Sequence, residues 1–295
     1  SMTRISPTER PTSWWLDVLR RREAKMQSEH VEGDVPPIEW SSPEEYTAAV
    51  RFFNAAFRAE ESGLTQAHQL SHTVAEWDRD LAEVLRLYGN EEGWHRELLT
   101  AFLGSIGGSV APMGRVTRAF YELYARAERM ETIVLTNLMF ETIGATTYRL
   151  ALRNVRQGPA RRMLTILTRD ESFHVPLNVH FLRQVLRRSS PEARRRLRRL
   201  YQLLFVSLVL LPVASRPKAR AFDRIGTLEL ARAYAEQLAK LFAREHDLDF
   251  PPPRWLLSAL GLSAKRLAED GELAATSVEA AERAAERDAV QVTAL

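Results

Sequence analysis

The sequence predicts an all-α protein built around a four-helix bundle, and three observations carry that expectation. From Pro43 to about Arg188 the apolar residues recur at spacings of three and four, the helical period, and no stretch longer than four residues alternates as a half-buried strand would. Helix-start patterns, Ser42-Pro43-Glu44-Glu45 and Ser189-Ser190-Pro191-Glu192, stand ahead of periodic stretches. Breakers, Gly104-Ser105-Ile106-Gly107-Gly108 and Gly158-Pro159, fall between them.

Taken in order, residues 1–41 form an N-terminal extension, with a helix expected from Trp14 to Met26 and a loop behind it. Residues 42–188 form the four-helix core. Its first helix opens at the Ser42 cap and runs to about Thr73, and the second covers Glu76 to Leu103. The third segment lies between Pro112 and Gln157, with room for a shorter helix ahead of it. The fourth spans Ala160 to Arg188 and contains Pro176, whose missing N–H deprives the Ser172 carbonyl of its helical donor. Residues 189–295 supply C-terminal helices on the same domain: one begins behind Ser190, and shorter ones are expected near 226–246, 254–267 and 275–288. Pro251-Pro252-Pro253 is a stiff connector among them.

Composition narrows the chemistry. The 295 residues include no Cys, which excludes disulfides, thiolate metal sites, iron–sulfur clusters and cysteine nucleophiles. Redox work must then rest on carboxylates, histidines or a borrowed cofactor. Net charge is +3, and with four Lys among 41 basic residues the other 37 are Arg. Between Arg183 and Arg199 eight Arg face one Glu, a run that serves either as a solvated face or as a dock for an acidic carrier protein, a phosphate-bearing substrate or RNA. The longest apolar run, Leu203 to Ala214, is shorter than the roughly 20 residues a bilayer span needs. Ser1-Met2-Thr3 looks like a cloning remnant with no signal segment behind it, so a cytoplasmic protein without a membrane partner is expected.

Two Glu-x-x-His pairs occur, Glu92/His95 and Glu171/His174, and a spacing of three puts both members on one helix face. Each pair sits inside an otherwise apolar stripe: Leu85, Tyr88, Leu99 and Phe102 flank the first, and Met163, Leu167, Leu177 and Phe181 the second. An ionised carboxylate buried there is costly unless it is paired or binds a metal. On the third helix Glu141 is the single charged residue between Thr132 and Tyr148, again on an apolar face. On the first helix Glu60 falls at the centre of the inner face set by Phe53, Phe57 and Leu64, while Glu61 lies about 100° away at its margin and is held in reserve. One Glu from each of two helices plus one Glu-x-x-His from each of two others is the di-iron or di-manganese carboxylate pattern of helical bundles. Oxygen donors with only two nitrogens favour iron, with manganese as the alternative. Tyr88, one turn before Glu92, serves either as a partner of a ligand or as core. His180 lies off the chelating face, and His68 and His72 lie two and three turns from Glu60.

These motifs resemble the ferritin-like di-iron carboxylate superfamily, and within it the soluble acyl-carrier-protein desaturases and their oxygenase relatives. Glu91-Glu92-Gly93-Trp94-His95, followed by Leu98-Leu99, is similar to the desaturases' Glu-Glu-x-x-His helix; Asp170-Glu171-Ser172-Phe173-His174 is similar to their Asp-Glu-x-x-His; Glu60-Glu61 resembles their first-helix pair, whose first member is the ligand. The resemblance spans roughly residues 45–185. It implies that Asp170 accepts a hydrogen bond from a ligand histidine, that two Fe ions activate O2 for hydroxylation, desaturation or N-oxygenation of an organic substrate, free or on a carrier protein, and that an external protein donates electrons. A homodimer is compatible with it. Departures exist: Gly144 and Ala145 stand where many relatives have a Thr, Leu167 stands where the N-oxygenases have an extra His, and the desaturases' N-terminal signature is absent. A ferroxidase or other iron-binding ferritin-like protein, and a tRNA-modifying di-iron monooxygenase, are the alternative readings.

Overall fold

The structure, a computed structural model, describes residues 9–28 and 37–276, and among them there is no strand. Among the described residues ten α-helices follow one another: α1 (Thr12–Ser28), α2 (Pro43–Val74), α3 (Arg79–Ser105), α4 (Arg115–Ala125), α5 (Met130–Asn154), α6 (Gly158–Leu186), α7 (Pro191–Asp223), α8 (Thr227–Arg244), α9 (Arg254–Ala259) and α10 (Ala264–Thr276). A 3-10 turn at His246–Leu248 separates α8 from α9.

Local chemistry accounts for the ends. The Ser42 hydroxyl accepts from the Glu45 N–H at 3.1 Å and Asp78 accepts from the Leu81 N–H at 3.0 Å, so both long helices of the first pair start on a side-chain cap. Ser190 caps α7 in the same way through Ala193. The helix expected over 254–267 is two helices, because Gly261 takes a positive φ of 71° and the Leu262 N–H turns back to the Leu257 carbonyl. The expected segment between Pro112 and Gln157 likewise divides into α4 and α5. Most of the helix expected at 275–288 lies outside the described residues.

α2 packs along α3, and α5 along α6; contacts of α2 with α5 and of α3 with α6 close the four-helix bundle. α1 lies against α3, α7 covers α2 and α5, and α8 covers α5 and α7. The bundle interior carries Phe53, Leu81, Leu99, Leu138, Leu167 and Leu177, each under 2% exposed. Residues Pro191–Ala214 of α7 are long and apolar enough to cross a membrane by length and composition. In this fold the helix puts Leu197, Tyr201, Phe205 and Val209 into the core and leaves Leu203, Leu210, Leu211 and Val213 exposed. The Arg-rich run is not a uniform solvated face: Arg183 is buried and binds Glu245 and Asp247 at 2.8 Å each, and Arg198 reaches Asp249 at 3.1 Å.

Candidate metal centre

All six residues singled out in the sequence are buried in the bundle: Glu60 from α2, Glu92 and His95 from α3, Glu141 from α5, Glu171 and His174 from α6. One donor atom each from Glu92, His95, Glu171 and His174 lies within 4.8 Å of the other three. Glu60 Oε2 is 3.5 Å from His95 Nδ1, and Glu141 interacts with Glu171. Glu61 points outward to Arg58 at 3.0 Å and Arg96 at 3.5 Å, whereas Glu60 is the buried one of the two adjacent acids.

The two halves of the cluster are built alike. His95 Nε2 lies 2.7 Å from Asp170 Oδ2 on α6, and His174 Nε2 lies 3.0 Å from Glu91 Oε1 on α3, so each histidine is held by the acid preceding the glutamate of the opposite helix. A carboxylate can only accept, so both rings donate from Nε2 and present Nδ1 to the centre. Arg22 of α1 joins the halves: its Nε and Nη2 donate to Glu91 at 2.7–2.9 Å, and Nη2 donates to Asp170 at 3.1 Å, with the guanidinium 4.2 Å above the Phe173 ring. Arg22 is 1% exposed. Tyr88 donates to Glu141 Oε1 at 2.7 Å, and Asn137 donates to the Tyr88 hydroxyl at 3.0 Å and to Asn178 at 2.8 Å. The open question about Tyr88 is therefore settled: it is buried and bonded to an acid of the cluster. His180 bonds to Thr12 and packs on Trp15, and His68 lies near Asn90, both away from the cluster.

Protonation in the metal-free cluster follows from crowding. Burial first, then repulsion from Glu141 and Glu60, pushes Glu92 and Glu171 well above the usual carboxylate range. For Glu60 burial pulls upward too, but contact with Glu92 and the charge of His95 outweigh it and set its pKa at about 2. His95, against the opposing effect of burial, is raised to about 10 by Glu60 and Asp170.

Among the described residues Glu60 Oε2, Glu92 Oε1, Glu141 Oε2, His95 Nδ1 and His174 Nδ1 make no well-formed hydrogen bond; His174 Nδ1 and Glu92 Oε1 lie 3.0 Å apart, and His95 Nδ1 and Glu60 Oε2 3.5 Å, as ion-pair contacts only. Buried polar atoms are normally satisfied, so unsatisfied ones contributed by four packed helices mark a place for a ligand. Four carboxylates match the charge of two divalent cations, and oxygen donors with two imidazoles suit iron or manganese. The donor set fits a di-metal centre.

Glycine makes room for it. A Cβ built on Gly63 of α2 would stand 2.7 Å from Glu92 Oε2, although a glycine inside a helix costs roughly 0.5–1 kcal/mol relative to Ala. Gly63→Ala is expected to keep the fold and push the Glu92 carboxylate aside, lowering metal affinity by roughly the 10–100-fold typical of a disturbed ligand environment. Competition with a chelator measures it; unchanged affinity would contradict the steric argument.

Beside the carboxylates lies a cavity of about 430 Å³, reached by Glu60, Glu92, Glu141 and Glu171 and walled by Phe52, Ala55, Ala59, Phe120, Phe140 and Ile143. Gly144 lines it, and a Cβ there would meet nothing within 4 Å. Glu91 and Arg22 were missed by sequence reading; the parallel between Glu91-Glu92 and Asp170-Glu171 is the signal that could have found the first, and nothing local marks the second.

No family model matches the chain, and no curated protein does. Among solved structures, a protein with aldehyde deformylating oxidase activity from Synechococcus is similar at a TM-score of 0.59 and 18% identity, over 79% of this chain and 100% of that one. That likeness gives no particular weight to the desaturases. What it shows, together with the helices described above, is that the chain has the ferritin-like helical fold.

Proposed function

We propose that the chain is a non-haem di-iron oxidase that uses O2 to oxidise an elongated organic substrate held in the cavity beside the cluster. The observation that carries this reading is the buried group Glu92, His95, Glu171 and His174, with one donor atom of each within 4.8 Å of the others, beside a largely apolar cavity that Glu60, Glu92, Glu141 and Glu171 line. Glu60 with His95, and Glu141 with His174, would hold one metal each. Glu92 contacts both Glu60 and His174, and Glu171 contacts both Glu60 and Glu141, so these two would be shared. Bound there, two iron ions supply the electrons and Lewis acidity that dioxygen reduction requires. With no cysteine and no flavin motif, further electrons come from a separate protein.

The chain's own residues do the rest. Glu91 and Asp170 fix the imidazole tautomers; against burial, Arg22 holds Glu91 below the usual carboxylate range, and His95 first and Arg22 next do the same for Asp170. The Tyr88 hydroxyl, its pKa raised by burial and by Glu141, keeps its proton and donates it to Glu141 as a hydrogen bond. The apolar walls exclude water and favour a carbon substrate over the mineral core of a storage protein. Manganese in place of iron, and a substrate borne on a carrier protein, stay within this proposal.

Anaerobic Fe(II) loading is expected to give close to two irons per chain and Glu171→Ala to lose them, by metal analysis after gel filtration. Because burial and crowding raise Glu92 and Glu171 and Glu60 and Asp170 raise His95 to about 10, loading is expected to release protons and metal affinity to fall as pH is lowered. Titration in unbuffered solution reads this. A chain that stays folded and metal-free sinks the proposal.

A further inference from the structure

The cavity has two chemically opposite ends. Beyond the four glutamates its walls turn apolar, and its far end is lined by Arg51, Arg216 and Lys218. Arg51 precedes Glu60 by nine residues on α2, about 14 Å at 1.5 Å per residue, and Tyr148 follows Glu141 by seven on α5, about 10 Å. The Phe52 and Tyr148 rings meet with centroids 6.2 Å apart, so both helices lead from the carboxylates to the same place. α7 and α8 close it: Phe222 packs 5.3 Å from Phe52, and the Tyr234 hydroxyl meets Thr147 Oγ1 at 2.6 Å.

Arg216 is 5% exposed, pairs through Nη1 with Asp223 at 2.5 Å, and leaves its Nε buried without a hydrogen-bond partner. Asp223 offsets one positive charge. Arg51 and Lys218 add two more, and neither makes an ion pair among the described residues. None of these groups serves the metal centre. A buried guanidinium N–H without an acceptor, beside two unpaired cations and a hydroxyl pair, is a seat for an oxyanion.

We propose that this end binds an anionic terminus, a carboxylate or a phosphate monoester, of an otherwise apolar substrate, and so directs the opposite end of that molecule to Glu92 and Glu171. The far end carries the uncompensated positive charge and, among the described residues, the metal end holds no free cation to match it, so an anionic terminus favours one orientation. The inference deepens the oxidase reading, because it takes the same cavity as the substrate site.

Calorimetric titration of the full chain, metal-free and Mn(II)-loaded, with decanoate, decyl phosphate, decanol and decylamine tests it. The better anion is expected to bind at least about tenfold more tightly than decanol, the lower end of what one charge-assisted hydrogen bond gives, with decylamine weakest. Whether decanoate or decyl phosphate binds better identifies the head group. Arg51→Ala/Lys218→Ala removes two exposed cations without unfolding the chain, and should cut the anion preference by roughly tenfold while leaving decanol unchanged. Arg216→Lys keeps the charge opposite Asp223 but loses Nε, and should weaken anion binding as well. Equal affinity for decanol and both anions, or anion binding untouched in both variants, overturns the proposal. Metal content is measured on the same samples: anion preference in a chain that binds no metal removes the oxidase reading alone, and two metals without anion preference remove this inference alone.

Discussion

Arg22→Met is expected to lower the thermal midpoint of the chain by on the order of 10 °C. The side chain lies under 2% exposed and is the cation shared by Glu91 and Asp170, which sit 69 and 148 residues away in sequence. Removing one member of a buried ionic group leaves its partners charged in a poor solvent, which costs about 3–5 kcal/mol. At about 2–4 °C per kcal/mol for a chain of this size class, that gives the stated shift. Arg86→Met supplies the contrast, because its pair with Glu83 is solvent-exposed and worth under about 1 kcal/mol. The loss reaches the metal centre too. With Arg22 gone, Glu91 and Asp170 hold their imidazole partners less firmly, and metal affinity should fall about 10–100-fold, as when outer partners of ligand histidines are removed elsewhere. Arg22→Lys keeps the charge but not the fork that spans two carboxylates, so it should recover stability more than affinity. Calorimetry and chelator competition measure the two quantities separately. A Met variant that melts like the parent and holds metal equally would show that α1 merely packs beside the bundle.

How much of this was legible in the sequence follows from the range of each interaction. The six inward acids and imidazoles were readable because each lies on a helix whose apolar phase is local: Glu141 is alone among uncharged neighbours, and each Glu-x-x-His falls inside an apolar stripe. The caps at Ser42 and Ser190 were readable for the same reason, since donor and acceptor are three residues apart. Asp170 came only through the family resemblance. Arg22 has no local mark, because on α1 an Arg at the buried face reads like the Arg residues around it, and its two partners come from α3 and α6. The cationic end of the cavity was hidden likewise: Arg51, Arg216 and Tyr234 come from α2, α7 and α8, and only the way α7 crosses α2 and α5 gathers them. The break at Gly261 was missed because the apolar spacing continues across it, whereas the chain direction there is decided by a positive φ.

Glu92→Gln/Glu171→Gln should make the metal-free protein more stable and the metal-loaded protein less so, a crossing that separates a built metal site from an accidental cluster. Both glutamates titrate well above their unfolded range because burial and their neighbours Glu141 and Glu60 oppose the charge. The sign follows. A group whose folded pKa is raised favours the native state fully below its unfolded pKa, near 4.5, and that contribution is lost as pH rises toward the folded value. Metal-free wild type should therefore weaken as pH rises above about 4.5, by up to about 1.4 kcal/mol per unit for each group until its folded pKa is reached. His95, raised to about 10, adds the same slope above about pH 6.5. Glutamine keeps the volume and carries no charge, so the variant should show a flatter profile. At pH 8 it should be the more stable protein, by about 1.4 kcal/mol for each unit over which wild type has had to hold or lose a raised proton. Metal reverses the order. Saturation at 100 times the dissociation constant adds about 2.7 kcal/mol per site to wild type, and the variant, short of the two shared ligands, gains little. Denaturant unfolding at several pH values, with and without Mn(II), resolves all four states. If the variant is the weaker protein in both, the cluster stabilises the fold by its hydrogen bonds alone; the crossing appears only if four crowded carboxylates are retained at a cost to stability because cations belong between them.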